Sequence, residues 1–156
     1  MRPTPDRVRE TLFNWLQPYI DGAVCLDLYA GSGVLGFEAL SRGAAQTVMV
    51  EQDRLSVTNL ERHATILGAQ SCQVINNDAV RFLNEQYKQY NLVFLDPPFG
   101  KNLLLKACEI LKNKGHLQPG ARVYVESESE FVPPQPYTIE KQGRVGNVHF
   151  ALLVSD

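Results

Sequence analysis

Apolar runs that predict β-strands alternate with amphipathic runs that predict helices, and this alternation constrains the fold more than any other feature of the sequence. Strands that alternate with helices form βαβ units, whose right-handed crossovers give a parallel sheet with helices on both faces. The sequence therefore predicts an α/β fold with a doubly wound sheet. The predicted strands are residues 24–29, 46–51, 72–76, 92–96 and 122–127, and the intervening helices include residues 53–68, 79–89 and 102–115.

The two ends of the chain depart from this alternation. Near the start, Thr4 and Pro5 are typical of an N-cap and a first-turn proline, and they predict a helix over residues 4–17 that precedes the sheet. Near the end, residues 137–143 and 147–154 are strand-like runs separated by a short turn. They predict an antiparallel hairpin that closes the sheet.

Composition limits the kinds of protein that this chain can be. Its 156 residues fit one domain, residues 1–156, and no apolar run approaches the ~20 residues that a membrane span needs. The first ten residues contain no apolar signal core, so a cytoplasmic location is expected. The three cysteines and three histidines share no ligand spacing, and we expect no metal site.

Charge gives an ambiguous indication about nucleic acid. The formal net charge is −2, whereas phosphate contacts usually need a basic face. A small basic cluster formed by Arg2, Arg7 and Arg9 lies near the start of the chain. These residues either form a solvated helix face or contact RNA.

A glycine-rich turn follows the first predicted strand. Gly31, Gly33 and Gly36 fit the pattern G-x-G-x-x-G, and Glu51 ends the second strand. Glycines let the backbone turn sharply and approach a ligand closely, while a carboxylate at the next strand end can accept both hydroxyls of a ribose. This pattern alone fits NAD, FAD and S-adenosylmethionine equally well.

Acidic residues at the other strand ends favour S-adenosylmethionine. The negative charge of Asp27 would disfavour a pyrophosphate but suits an ammonium or a sulfonium, directly or through water. Asp78 can accept from an adenine amino group, which either class of cofactor carries. The sequence DPPF at residues 96–99 decides between the cofactors in favour of S-adenosylmethionine. For any single one of these acids, simple helix capping remains the alternative.

The sequence DPPF suits the methylation of an exocyclic amine on a nucleobase. As the methyl group is added, the amine nitrogen becomes increasingly positive, so acceptors that bind the cation more strongly than the neutral amine accelerate the reaction. The carboxylate of Asp96 and the carbonyl of Pro97 can be these acceptors, and the two prolines, Pro97 and Pro98, stiffen the segment. Phe99 offers a ring on which a flipped-out base can stack.

Six motifs, in order along nearly the whole chain, resemble S-adenosylmethionine-dependent amino-methyltransferases and, within them, the RsmD-type 16S rRNA guanine-N2 methyltransferases. The opening segment is the most discriminating of the six. The motifs are RPTPDRVRETLFNWL, CLDLYAGSGVLGFEALSRGA, the VE that ends at Glu51, NNDA, FLDPPF and GRVGNVHF. The resemblance implies a Rossmann-like class I methyltransferase sheet of seven strands with the last antiparallel. It also implies transfer of a methyl group from S-adenosylmethionine to the N2 amine of one guanine in small-subunit rRNA, with S-adenosylhomocysteine as the second product.

The resemblance further implies a role for each matching residue. Glu51 would bind the ribose, Asp78 and Ala79 the adenine, and residues 96–99 the target base. Thr4 and Arg7 would close over the methionine carboxylate or face RNA. The residues implied at the methionine end of the cofactor are Asp27, Tyr29, Ala30, Gly31, Ser32 and Gly33.

Partners follow from the same resemblance. It implies 16S rRNA, within the small ribosomal subunit or an assembly intermediate, and we expect a monomer. Members of this family usually begin with an additional basic, glycine-containing segment ahead of the position where this chain starts. We therefore expect this chain to bind S-adenosylmethionine normally and RNA weakly.

The sequence is also compatible with three other functions. Adenine-N6 methyltransferases acting on DNA or RNA and protein glutamine methyltransferases present a similar motif, although asparagine is common where this chain has Asp96. The third alternative is a non-catalytic RNA-binding module. Acids at four successive strand ends argue against such a module, because it has no use for a methyl-donor site.

Overall fold

A seven-stranded sheet with the strand order β3-β2-β1-β4-β5-β7-β6 organises the computed structural model, which describes residues 4–98 and 100–155. Strand β7 runs antiparallel to both of its neighbours, and the other pairings are parallel. The strands are β1 Val24–Asp27, β2 Gln46–Glu51, β3 Cys72–Asn76, β4 Tyr90–Leu95, β5 Leu117–Ser127, β6 Thr138–Val145 and β7 Val148–Val154. The helices are α1 Asp6–Ile20, α2 Val34–Ser41, α3 Arg54–Leu67, α4 Ala79–Glu85 and α5 Gly100–Asn113. The predicted α/β class, the doubly wound sheet and the antiparallel end are confirmed.

The order of the strands reverses at β1. This strand pairs with β2 on one side and with β4 on the other, so that Asp27 lies between Met49 and Phe94. In open parallel sheets, ligands bind beyond the carboxyl ends of the strands at such a reversal. The fold therefore directs the search for a site to the ends of β1, β2 and β4.

Apolar side chains cover both faces of the sheet. On one face, Phe94 and Tyr124 pack with the buried residues of α1 and α2. On the other face, Leu95 and Val125 pack with α4 and α5. Each fully buried leucine or phenylalanine contributes about 1.5–3 kcal/mol, and the two layers together fix the positions of the strand ends.

The first helix differs from the prediction at both of its ends. It covers Asp6–Ile20 instead of residues 4–17, and no side chain caps its first turn. The hydroxyl of Thr4 instead lies 3.4 Å from the carboxylate of Glu126, so a tertiary contact replaces the expected local cap. The helix continues past Pro18 because Ile20 is buried in the same core as the rest of its apolar face.

Two predicted site residues, Arg2 and Phe99, lie outside the described residues. Within the part of the chain that the structure describes, no helix is both long enough and apolar enough to cross a membrane. Among the same residues, no group of three or more histidines, cysteines, aspartates and glutamates is arranged to hold a metal ion.

Candidate active site at the carboxyl ends of the strands

A cavity of about 140 Å³ opens beyond the carboxyl ends of β1, β2 and β4. It brings together six residues that the sequence analysis selected, and these come from four different segments of the chain. They are Tyr29, Glu51, Asp78, Ala79, Asp96 and Pro98. The parallel strands end at one edge of the sheet, which is why residues so far apart in sequence meet there.

Glu51 holds the backbone around the cavity in place. Its Oε1 accepts the backbone N–H of Gly31 at 2.9 Å, and its Oε2 accepts the N–H of Asp53 at 2.8 Å. The residue is 8% exposed. Each carboxylate oxygen has two lone pairs, so each can accept one further hydrogen bond from a ligand hydroxyl.

The glycine turn needs glycine for two different reasons. Gly31 and Gly33 have positive φ angles of 56° and 81°. A Cβ on Gly33 would lie 2.6 Å from side-chain atoms of both Leu60 and Phe37, and a Cβ on Gly36 would lie 2.5 Å from the Met49 side chain. The first two glycines therefore shape the turn, and the third lets α2 pack closely on the sheet.

The residues of the turn itself do not line the cavity. Ala30 is buried and Ser32 is exposed, and Gly33 donates its backbone N–H to the carbonyl of Ala30 at 2.8 Å. The turn is connected to the cavity through the bond from Gly31 to Glu51. The contacts of residues 30–33 with the methionine end of the cofactor remain predictions.

Asp27 lies beneath the turn and is not among the residues that line the cavity. It is 3% exposed, and its Oδ2 accepts the N–H of Gly36 at 3.0 Å. Burial raises its pKa to about 7; the bond from Gly36 lowers the pKa, and the negative charge of Glu51 raises it further. The bond to Asp27 holds the first turn of α2, and the contact of Asp27 with the cofactor, directly or through water, remains a prediction.

Asp78 both caps a helix and lines the cavity. Its Oδ2 accepts the N–H of Arg81 at 3.0 Å, so it caps α4. Helix capping was the alternative to ligand binding that the sequence analysis gave for this residue. The same side chain is exposed and lines the cavity together with Ala79. Capping and ligand binding are therefore compatible at this residue, because a carboxylate has acceptors to spare.

Tyr29 carries a polar group that lacks a partner. Among the described residues its hydroxyl is buried without a hydrogen bond, although the ring lines the cavity. Burial raises the pKa of this phenol to about 12, with a further contribution from the charge of Asp78. A buried hydroxyl without a partner is costly, so a polar ligand that reached it from the cavity that Tyr29 lines would stabilise it.

Asp96 and Pro98 form the wall of the cavity on the side of β4. The strand ends at Leu95, so the two prolines follow its end as the sequence predicted. Asp96 is half-buried and Pro98 is exposed. A carboxylate therefore lies at the border between the cavity and solvent.

Two arginines of the basic cluster at the start of the chain, Arg7 and Arg9, have different surroundings. Arg9 pairs with Asp6 on its own helix at 3.1 Å, which agrees with the solvated helix face. Arg7 is exposed on the first turns of α1, and its contact with RNA remains a prediction.

Some residues of the site were not selected from the sequence. Gln52 and Asn77 line the cavity, and Asn76 donates hydrogen bonds at 3.0 Å to the carbonyls of both Glu51 and Gln52. Asn76 thereby fixes the end of β2 from the neighbouring strand. The paired asparagines in the sequence NNDA were the signal from which Asn76 and Asn77 could have been selected.

Comparison with known proteins gives a consistent result over nearly the whole chain. The sequence model of the family described as Conserved hypothetical protein 95 matches residues 1–154. Ribosomal RNA small subunit methyltransferase D of Escherichia coli is 43% identical over 155 residues, which cover 97% of this chain and 78% of that protein.

Solved structures share the fold. A putative methyltransferase from Escherichia coli superposes with a TM-score of 0.90 at 41% identity, covering 97% of this chain and 89% of that one. An RNA methyltransferase from Salinibacter ruber, solved in complex with S-adenosyl-L-homocysteine, has a TM-score of 0.78 at 19% identity and covers 99% of this chain and 95% of its own. At this lower identity the likeness concerns the fold alone.

Proposed function

The chain belongs to the RsmD family of S-adenosylmethionine-dependent ribosomal RNA methyltransferases, and from this premise we propose that it methylates the exocyclic N2 amine of a guanine in 16S rRNA. S-adenosylmethionine is the methyl donor and S-adenosylhomocysteine the second product. The observation that carries the proposal is that Asp96 lines the same cavity as Glu51 and Asp78. An acceptor for an amine is thus adjacent to acceptors suited to a nucleoside.

The described residues fit the donor chemically. Glu51 accepts the ribose hydroxyls with its remaining lone pairs, and Asp78 with Ala79 borders the adenine. The hydroxyl of Tyr29, which is buried without a partner among the described residues, gains a polar partner from the ligand. The turn from Ala30 to Gly33 borders the methionine end, and Asp27 supports that turn through Gly36.

The methyl group arrives already activated on a sulfonium, so this chain needs only to hold and stabilise the acceptor amine. Asp96 accepts hydrogen bonds from the N2 amine, together with the carbonyl of Pro97. Its negative charge interacts more strongly with the nitrogen as that atom becomes cationic, which lowers the barrier. Phe99 stacks on the base, and the rigid prolines preorganise the acceptors.

The setting of the reaction is part of the same proposal. The substrate is the small ribosomal subunit or an assembly intermediate in the cytoplasm, and the single domain of residues 1–156 acts on it as a monomer, without a metal ion. Arg2 and Arg7 contact the RNA backbone. Arg9 contributes less, because Asp6 neutralises it.

The test is transfer of radiolabelled methyl from S-adenosylmethionine to small ribosomal subunits, and in parallel to their naked RNA, taken from cells that lack this methylation. Nucleoside analysis then identifies the product. We expect label in N2-methylguanosine, and the two substrates together identify which form is recognised. The Escherichia coli relative serves as the control for competent substrate. Label in N6-methyladenosine, or no label where the control gives label, would overturn the proposal.

A further inference from the structure

Glu126, at the carboxyl end of β5, is a buried carboxylate that is only partly satisfied. It is 1% exposed, and its Oε1 accepts the hydroxyl of Tyr124 at 2.6 Å. Its Oε2 is also buried but has no hydrogen-bond partner among the described residues. Leaving a charged oxygen in this state is costly, so the arrangement calls for a donor that binds there.

The position of Glu126 relates it to the reacting amine. Phe94 and Tyr124 are neighbours in the parallel ladder of β4 and β5, and both pack on the α1 side of the sheet. Because side chains alternate along a strand, the residues two positions further on, Asp96 and Glu126, are on that same face at the strand ends. Burial and the charges of Glu126 and Asp96 raise the pKa of Tyr124 well above its usual value, which agrees with this proximity.

We propose that Glu126 recognises the target guanine, its Oε2 accepting the N1–H of the base while Asp96 holds the N2 amine. This inference rests on the proposed function and adds a determinant of base specificity to it. Guanine presents two adjacent donors, N1–H and N2–H, on its Watson–Crick edge. Adenine has an acceptor at N1, whose lone pair would face the carboxylate of Glu126. Two neighbouring carboxylates therefore select guanine.

Thr4, just before α1, is a second described residue close to this carboxylate. Thr4 lies 3.4 Å from Oε1 of Glu126, which is long for a hydrogen bond between a hydroxyl and a carboxylate. Because this contact is to Oε1, it does not occupy Oε2, the oxygen that accepts the N1–H of guanine in this proposal.

The experiment compares guanine with 2-aminopurine, which keeps the N2 amine but has an acceptor at N1. Once the methylated guanine has been mapped, small-subunit RNA carrying either base at that position is assembled by ligation and reconstituted into subunits. We compare kcat/KM for wild type, for Glu126→Gln and for the matched control Glu61→Gln. Glu61 lies on the exposed face of α3. Both bases are given to every enzyme, so any effect of the missing O6 cancels between variants.

We expect Glu126→Gln to lower kcat/KM on guanine by at least about 10-fold, the size of one base-edge hydrogen bond. On 2-aminopurine it should equal or exceed wild type, because the glutamine amide can donate to N1. Glu61→Gln should change neither value. An equal loss on both bases would assign Glu126 a structural role and overturn the inference, as would no loss on either.

A second variant, Glu126→Asp, keeps the proposal testable if Glu126→Gln does not fold. Glu126→Asp keeps the charge and should retain the preference for guanine at a reduced rate, while S-adenosylmethionine affinity by calorimetry stays at the wild-type value. A preference lost in Glu126→Asp to the same extent as in Glu126→Gln would count against recognition by the carboxylate. Failure of the proposed function is recognised separately, because wild type would then give no label on guanine at all.

Discussion

The carboxylate of Glu51 accepts the backbone N–H of Gly31 at 2.9 Å, so the end of β2 holds the turn that follows β1. The other oxygen of Glu51 accepts from Asp53, whose own side chain caps α3 by accepting the N–H of Ser56 at 2.9 Å. One buried acid thus connects the turn, the cavity and the start of a helix. A residue with this many bonds affects ligand affinity and local order together.

Replacement of Glu51 by alanine should weaken S-adenosylmethionine binding at least ~10-fold, because a charged hydrogen bond contributes about 1.5–3 kcal/mol. Calorimetric titration measures the change. Glu61→Ala, on the exposed face of α3, is the matched control and should bind normally. Wild-type affinity in Glu51→Ala would remove Glu51 from the cofactor site.

Replacement of Tyr29 by phenylalanine should affect stability and affinity in opposite directions. Removing a buried hydroxyl that has no partner among the described residues should leave the free protein as stable as wild type or more stable. The same change should weaken S-adenosylmethionine about 2- to 10-fold, since a neutral hydrogen bond contributes about 0.5–1.5 kcal/mol. Urea unfolding and calorimetry report the two quantities. Unchanged affinity would mean that the hydroxyl does not contact the cofactor.

Asp27 should make stability depend on pH in an unusual direction. Its pKa is about 7 in the folded protein and near 3.9 in an unfolded chain, so the folded state binds more protons between these values. Its contribution to stability is therefore lost as pH rises through this window. The stability of Asp27→Asn relative to wild type should increase from pH 5 to pH 8, by up to about 3 kcal/mol. Urea unfolding across this range measures it, and a difference independent of pH would contradict the raised pKa.

Alanine at Gly33 should destabilise the protein more than alanine at Gly68. Both glycines have positive φ, 81° and 66°, so both substitutions carry backbone strain of about 1–2 kcal/mol. Only Gly33 is also crowded, with Leu60 and Phe37 at 2.6 Å from its added Cβ, whereas nothing lies within 4 Å at Gly68. We expect a further cost of about 1–3 kcal/mol at Gly33 from overpacking. Equal losses in thermal or urea unfolding would show that the crowding is relieved.

Features encoded locally could be predicted from the sequence. Strands β2 and β3 have the predicted bounds, because their apolar runs are enclosed by turn residues. The glycine pattern identified the turn, and the parallel fold then required the strand-end acids to meet at one edge. By contrast, the predicted start of α1 was wrong: the hydroxyl of Thr4 does not cap the helix but contacts Glu126, 122 residues away.

Burial could not be predicted in the same way. Glu126 was placed in the predicted strand of residues 122–127, but the pattern did not indicate that a charged residue at the end of this strand is buried; in the fold it pairs with Phe150 of β7 and is 1% exposed. Asp27 was expected to meet the cofactor, and its bond to Gly36 depends on how closely α2 packs. Residue type indicates what a group can do, whereas the tertiary environment determines which partner it has.

Asp96 provides the most direct test of the proposed chemistry. Asp96→Ala should leave S-adenosylmethionine affinity within about 3-fold of wild type, yet slow methyl transfer at least ~10-fold, because it removes the charged acceptor of the amine. Asp96→Asn is the matched variant, since it keeps an acceptor of the same shape without the charge, and its rate should be intermediate. Single-turnover methylation of small ribosomal subunits at saturating cofactor measures the chemical step, and thermal unfolding checks that both variants fold. If Asp96→Asn is as slow as Asp96→Ala, charge matters more than geometry; if both turn over like wild type, Asp96 does not stabilise the reacting amine.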